Sequence, residues 1–190
     1  MNNQSIQQAI LKGSYIADEL CLSYRQRMLN LVEECSMTDE NSWDNKRASA
    51  HFTSSAFIIN QQGQFLAIFH SKLQRWLQPG GHIETLDATP FESALREASE
   101  EVGDLSLRAL SPFPIDLDIH TIPAKRELAQ HEHFDIRYAF LAQQPQQVSI
   151  NHESQAWRWL TTDALAQWSE DPSIARAVLQ TKTLYKKDMI

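Results

Sequence analysis

Three glutamates, Glu97, Glu100 and Glu101, stand at i, i+3 and i+4, a spacing that puts three carboxylates on one face of a helix within about one turn. Like charges so placed repel by a few tenths of a kcal/mol per pair, roughly, so a cation is needed to offset them. An oxygen-rich, thiol-free donor set suits Mg²⁺ or Mn²⁺, hard ions that keep several waters and bind phosphate oxygens at the same time. Such an ion can activate water and stabilise charge on phosphoryl oxygens. The plainer alternative is a solvated acidic face, with Arg96 pairing Glu92 or Glu100, and the helix alone favours it.

The residues in front of the helix reverse that balance. Trp76-Leu77-Gln78-Pro79-Gly80-Gly81-His82-Ile83-Glu84 followed by Arg96-Glu97-Ala98-Ser99-Glu100-Glu101-Val102-Gly103 resembles the Nudix box, whose pattern is G-x5-E-x7-R-E-U-x-E-E-x-G-U. Gly81, Arg96, Glu97, Glu100, Glu101 and Gly103 fall on its specific positions. Asp87 stands where the family has glutamate, and eight residues rather than seven separate it from Arg96, which reads as a one-residue insertion in the loop. Asp104 replaces the usual closing aliphatic residue.

The resemblance implies metal-dependent attack of water on phosphorus, splitting a phosphoanhydride in a small nucleoside-diphosphate-type compound. It implies that Glu97, Glu100, Glu101 and the Gly80 carbonyl hold Mg²⁺ or Mn²⁺, and that Arg96 braces the loop against a carboxylate, Asp87 or Glu84. Glu100 or Glu101 is the first choice of base and Glu153 the second. A homodimer is the family-based expectation. The alternative is a Nudix-fold module that senses a nucleotide without cutting it; such modules tend to lose box carboxylates, and this chain keeps all three. An isopentenyl diphosphate isomerase is disfavoured, because that related pattern uses an active-site cysteine and no Cys follows Cys35.

His131, His133, Asp135 and Arg137 alternate in HEHFDIR, so on a strand all four face one way, and His120 is placed to join them from a neighbouring strand. His and Arg suit phosphate or carboxylate groups, and substrate contact is favoured over a zinc site built from these histidines. Trp76, beside the glycines, is a candidate base-stacking residue, although a Trp next to a turn is as often a packing anchor. Trp157 and Trp159 alternate around Arg158 and are expected in the core or a dimer contact.

These side chains need a scaffold. Apolar residues from Ile6 to Val32 recur at helical spacing, broken near Gly13, and predict one or two helices in an N-terminal arm. The polar run Thr38 to Lys46 reads as a linker, so 1–47 is taken as a helical extension and 48–190 as the hydrolase domain. FTSSAFIIN and QFLAIFH, joined through QQG, predict a β-hairpin. Thr89 as N-cap, Pro90 at the first helical position and Glu92 completing a capping box start the central helix, and Gly103 stops it. Its apolar residues, Phe91, Ala94, Leu95, Ala98 and Val102, lie beside the acidic face. LSLRAL, PIDLDIHTI, FDIRYAFLA, VSI and AWRWL predict further strands, Thr162 a cap for a short helix ending near Trp168, and Ser173 to Lys187 a last helix. Strands and helices in this order give an α+β chain, a Nudix-like α/β/α sandwich with a mixed β-sheet, preceded by the helical arm.

Composition narrows the partners. Lys and Arg number 17 against 24 Asp and Glu, a formal charge of −7, where polymeric nucleic acid calls for a basic footprint. A small phosphorylated substrate remains compatible, since a bound divalent cation inverts the field of an acidic pocket. Cys21 and Cys35 lie in no metal-ligand spacing and are expected as reduced core thiols of a cytoplasmic protein. The N-terminus shows neither a signal-peptide pattern nor a membrane span.

Overall fold

The architecture is that of a computed structural model, which describes residues 1–13, 15, 18–47, 49–124, 129–161, 164 and 172–188. Its elements are α1 (Asn3–Lys12), α2 (Glu19–Met37), β1 (Ala50–Ile59), β2 (Phe65–His70), β3 (Arg75–Leu77), β4 (Gly80–His82), α3 (Pro90–Val102), β5 (Leu107–Ala109), β6 (Asp116–Ile122), β7 (His131–Ala142), β8 (Ser154–Leu160) and α4 (Pro172–Asp188). A 3₁₀ turn, Pro145–Gln147, joins β7 to β8.

β1 is buried along its whole length because it is central, pairing in parallel with β7 from Ala50↔Glu132 to Ile59↔Leu141. The other ladders are antiparallel, so the sheet is mixed. The remaining edge of β1 is shared. β4 takes it at Thr53–Ser55, whereas β2 touches it only at Ile59↔Phe65. The expected hairpin is therefore real at its turn and nowhere else: beyond it, β2 turns away to pair with β3 and β8. That leaves room for the Gly80-Gly81 segment against β1.

Alternation along β1 separates two cores. Phe52, Ala56 and Ile58 pack with Ala94, Ala98 and Val102 of α3 and with Ile6, Ile10, Met28 and Val32 of α1 and α2. On the opposite face, Phe57 and Ile59 pack with Ile174, Ala177 and Val178 of α4. Helices thus cover both faces, the α/β/α arrangement expected. The polar run after α2 is more tightly held than a free linker: Trp43 is buried in the first core, Asn3 Oδ1 accepts from both the N–H and the hydroxyl of Ser42, and the Phe52 N–H donates to the Ser42 carbonyl.

Cys21 and Cys35 are buried and free. The VSI segment is not a strand; the Ser149 N–H instead donates to the Val102 carbonyl, closing the end of α3. The helix expected from Thr162 to Trp168 lies outside the described residues. Among the described residues no helix is long and apolar enough to cross a membrane.

Candidate active site

α3 begins as its capping residues dictate. Thr89 Oγ1 accepts from the Glu92 N–H at 3.2 Å, with Pro90 in the first turn. The capping box closes one residue early, since the Glu92 carboxylate accepts from the Ala88 N–H at 2.8 Å rather than from Thr89. The helix is fastened to the sheet where Ser54 Oγ donates to the Pro90 carbonyl at 2.7 Å.

This anchoring lays the acidic face of α3 over β4. Gly80 donates its N–H to Glu101 Oε2 at 2.7 Å. A side chain at Gly80 would collide with Ser55, its Cβ 2.4 Å from the serine Cβ, and one at Gly81 would lie 2.7 Å from Glu97 Oε2. The two glycines are needed because strand and carboxylates approach this closely.

Glu101 is 5% exposed. Burial pushes its carboxyl up to about 8, the Gly80 N–H opposes that rise, and the negative charges of Glu97, Glu153 and Glu100 add to it. Burial likewise raises Glu97, against the pull of Arg96. The Glu100 side chain is 55% exposed. Two of the three carboxylates are therefore held where ionisation is costly unless a cation joins them.

Arg96 is the cation that α3 itself supplies. Its Nε and Nη2 donate to the two oxygens of Asp87, each at 3.0 Å, its Nη1 to Glu97 at 3.0 Å and Glu100 at 3.2 Å, and its Nη2 to the His82 carbonyl at 2.8 Å. The bidentate partner is Asp87, and Glu84 contributes its backbone N–H to Asp87 Oδ2 at 2.8 Å. The inserted residue lengthens the loop, and the shorter aspartate still reaches Arg96. Burial alone would raise Asp87, but the Arg96 hydrogen bonds outweigh it and hold the carboxyl below its ordinary value.

Glu153 lies in the turn just before β8, near enough for its charge to act on Glu101, and 3.7 Å from Lys72 Nζ. Trp76 packs edge-on against Phe69 and carries the Arg158 guanidinium 4.8 Å over its ring, as a packing anchor does.

The histidine strand presents one face, as its alternation requires, but its residues divide between two environments. Asp135 and Arg137, expected at the substrate, are turned into the interior. Arg137 is 2% exposed and donates to Asp135 at 3.1 Å, Asp116 at 3.1 Å, Asp118 at 2.8 Å and Ser173 at 3.0 Å. Arg176 of α4 adds a 2.5 Å bond to Asp116, and Thr53 and Ser55 donate to Asp135. The α4 helix covers this part of the sheet, which is why these groups meet each other.

His131 and His133 join His51, His82 and His120, so five of the seven histidines lie together. Burial first, then the neighbouring rings, holds His51 down to about 4 and His133 lower still; loss of hydration around the ring and then His131 lower His82, although its side chain reaches the surface. His51, His82, Asp116, Asp118 and Arg176 were not singled out from sequence. The clue available was the polar alternation in DLDIH and HFTSS, but the pairing of β1, β6 and β7 is what joins these segments.

A family profile described as NUDIX domain matches residues 50–180. No curated protein sequence matches the chain. Among solved structures, an Ap4A hydrolase binary complex from C. elegans is similar at 16% identity and TM-score 0.53, over 72% of this chain and 98% of that one. The E. coli dihydroneopterin triphosphate pyrophosphohydrolase is similar at 18% identity and TM-score 0.54, over 68% and 92%. At these identities the structural likeness speaks for the fold.

Proposed function

The chain belongs to the NUDIX domain family, and from that premise we propose that it hydrolyses a phosphoanhydride bond in a small nucleoside-diphosphate-type compound with the help of Mg²⁺ or Mn²⁺. The observation that carries this reading is the excess of carboxylate over cation at α3: Asp87, Glu97 and Glu100 all pair with Arg96, and among the described residues Glu101 is bonded to the Gly80 N–H and to no cation. A hard divalent ion fits that donor set. Glu97, Glu100, Glu101 and the Gly80 carbonyl would hold it. When bound, it supplies Lewis-acid stabilisation of charge on the phosphoryl oxygens.

The protein groups have separable tasks. Glu101 fixes the Gly80 backbone, and Arg96 clamps the loop through Asp87 and the His82 carbonyl. Glu100, the most solvent-accessible of the three glutamates, would take a proton from the attacking water as the water oxygen bonds to phosphorus and the bridging P–O bond breaks. Glu153 is the alternative base. Trp76, on β3 ahead of the glycines, is the remaining candidate for substrate stacking. The hydrolase unit is 48–190, with 1–47 an extension whose helices complete one face of its core, and the family-based expectations of a homodimer and a cytoplasmic location go with this reading.

The test is release of phosphate or nucleotide from a panel of diphosphate compounds with Mg²⁺, Mn²⁺ or EDTA, comparing wild type with Glu100→Gln. Metal-dependent turnover lost in the variant is the expected result. Tight binding of a nucleotide without turnover across the panel would instead identify a sensing module.

A further inference from the structure

We propose that the histidine cluster is a second metal site, selective for a borderline ion of the Zn²⁺ type and separate from the carboxylates of α3. Three adjacent strands each contribute one ring: His51 from β1, His133 directly beside it on β7, and His82 from β4, where it pairs with Thr53. One nitrogen from each of these rings lies within 4.8 Å of the others. Zn–N bonds of about 2.0–2.1 Å at tetrahedral angles set ligand nitrogens about 3.3 Å apart, so small side-chain rotations bring the three onto one ion.

A second observation points to a ligand. His51 is 1% exposed, and both of its ring nitrogens are buried without a hydrogen-bond partner. A neutral imidazole has one N–H and one lone pair, and burying both without a partner is unfavourable. Coordination gives the lone pair an occupation.

The surroundings are those of a nitrogen site. His131 Nδ1 lies 3.0 Å from the Ala129 carbonyl, which makes it the N–H donor and leaves a lone pair on Nε2, 3.3 Å from His133 Nε2. A fourth imidazole lone pair thus stands at the edge of the cluster. His120, whose ring is 5.4 Å from that of His133, is oriented through Nδ1 by Asp118 at 3.0 Å, the kind of outer-shell bond that sets histidine tautomers around metals. Imidazole ligation selects Zn²⁺, Co²⁺, Ni²⁺ or Cu²⁺ over Mg²⁺.

Strand alternation keeps the two sites apart. A side chain at Gly81 would point at Glu97, so that of His82, the next residue on β4, points to the opposite face.

The experiment uses the full chain, stripped with chelator and returned to excess Mg²⁺ so that carboxylate sites are occupied, then titrated with Co²⁺ and with Zn²⁺. Expected are one retained equivalent of Co²⁺ with visible d–d absorption, its displacement by Zn²⁺, and affinity reduced in His82→Ala by more than the roughly 10- to 100-fold that loss of an outer-shell partner costs. His82 is exposed, so this variant keeps the fold, as circular dichroism would verify. Glu100→Gln should retain the Co²⁺ spectrum whether or not it hydrolyses anything, which separates this site from the proposed hydrolase activity. Wild type retaining no Co²⁺ against Mg²⁺, undiminished binding in both His82→Ala and His133→Ala, or loss of the spectrum in Glu100→Gln would each overturn the assignment.

Discussion

Two groups of acids flank the central sheet, and their charges are met in opposite ways. On the α4 face, Asp116, Asp118 and Asp135 meet Arg137 and Arg176, and the acids are bonded to guanidinium groups. On the α3 face, Glu97, Glu100, Glu101 and Asp87 have Arg96, and Glu101 accepts from a backbone N–H instead. Asp118 and Glu101 show the contrast, while burial raises Asp116 and, against burial, the Arg96 bonds lower Asp87. Burial alone would raise Asp118, but Arg137 and then His120 outweigh it and hold it well below its ordinary value; Glu101 is pushed up to about 8 by burial. A cluster that supplies its own counter-charges is a structural device. One left short of them is where the proposed reading puts a cation from outside.

Breaking the balanced side should do the most damage. Arg137→Met takes the shared guanidinium from three buried aspartates and leaves Asp116 with Arg176 and Asp135 with Thr53 and Ser55, and denaturant unfolding should show a loss on the order of 3–5 kcal/mol; a near-neutral result would mean that the network does not hold the sheet to α4. Glu101→Gln tests the other side. It should fold with metal-free stability equal to or above wild type, because burial already favours the neutral carboxyl that the amide replaces, yet lose turnover on the order of 10²-fold. Thermal scans should also show that Mg²⁺ at about 100 times its dissociation constant stabilises wild type by about 2.7 kcal/mol and leaves Glu101→Gln unmoved. An equal Mg²⁺ response in the two proteins would place the ion elsewhere.

Arg96→Lys keeps the charge and loses the bidentate grip on Asp87, so it should cost about 1–3 kcal/mol together with activity. Glu84→Gln sharpens the choice of brace. Since Glu84 contributes its backbone N–H, stability should stay within about 0.5 kcal/mol of wild type, and a larger change would return the bracing role to its side chain.

The elements around the site were legible because their signals are local. Thr89, Pro90 and Glu92 mark the start of α3 and Gly103 its end, within one residue of the observed Pro90–Val102. Arg96 with its following glutamates was visible as a motif for the same reason. The VSI segment failed as a strand although its residues favour one, because its position over the end of α3 gives Ser149 a helix carbonyl to bond. The β1–β2 hairpin was right about the turn and silent about the strand that replaces β2 along β1.

By itself the sequence determined the α+β class, the helix that carries the acids, and which residues share a face, since each follows from spacings of 3.6 or 2 along one segment. Tertiary structure alone decided what those faces meet. The HEHFDIR alternation is the same whether it fronts solvent, substrate or another strand, and only the register of β1, β4, β6 and β7 sends Arg137 to three aspartates and His133 to four other imidazoles. Charge balance and metal affinity depend on distances between segments far apart in the chain, and those distances come into being only when the sheet closes.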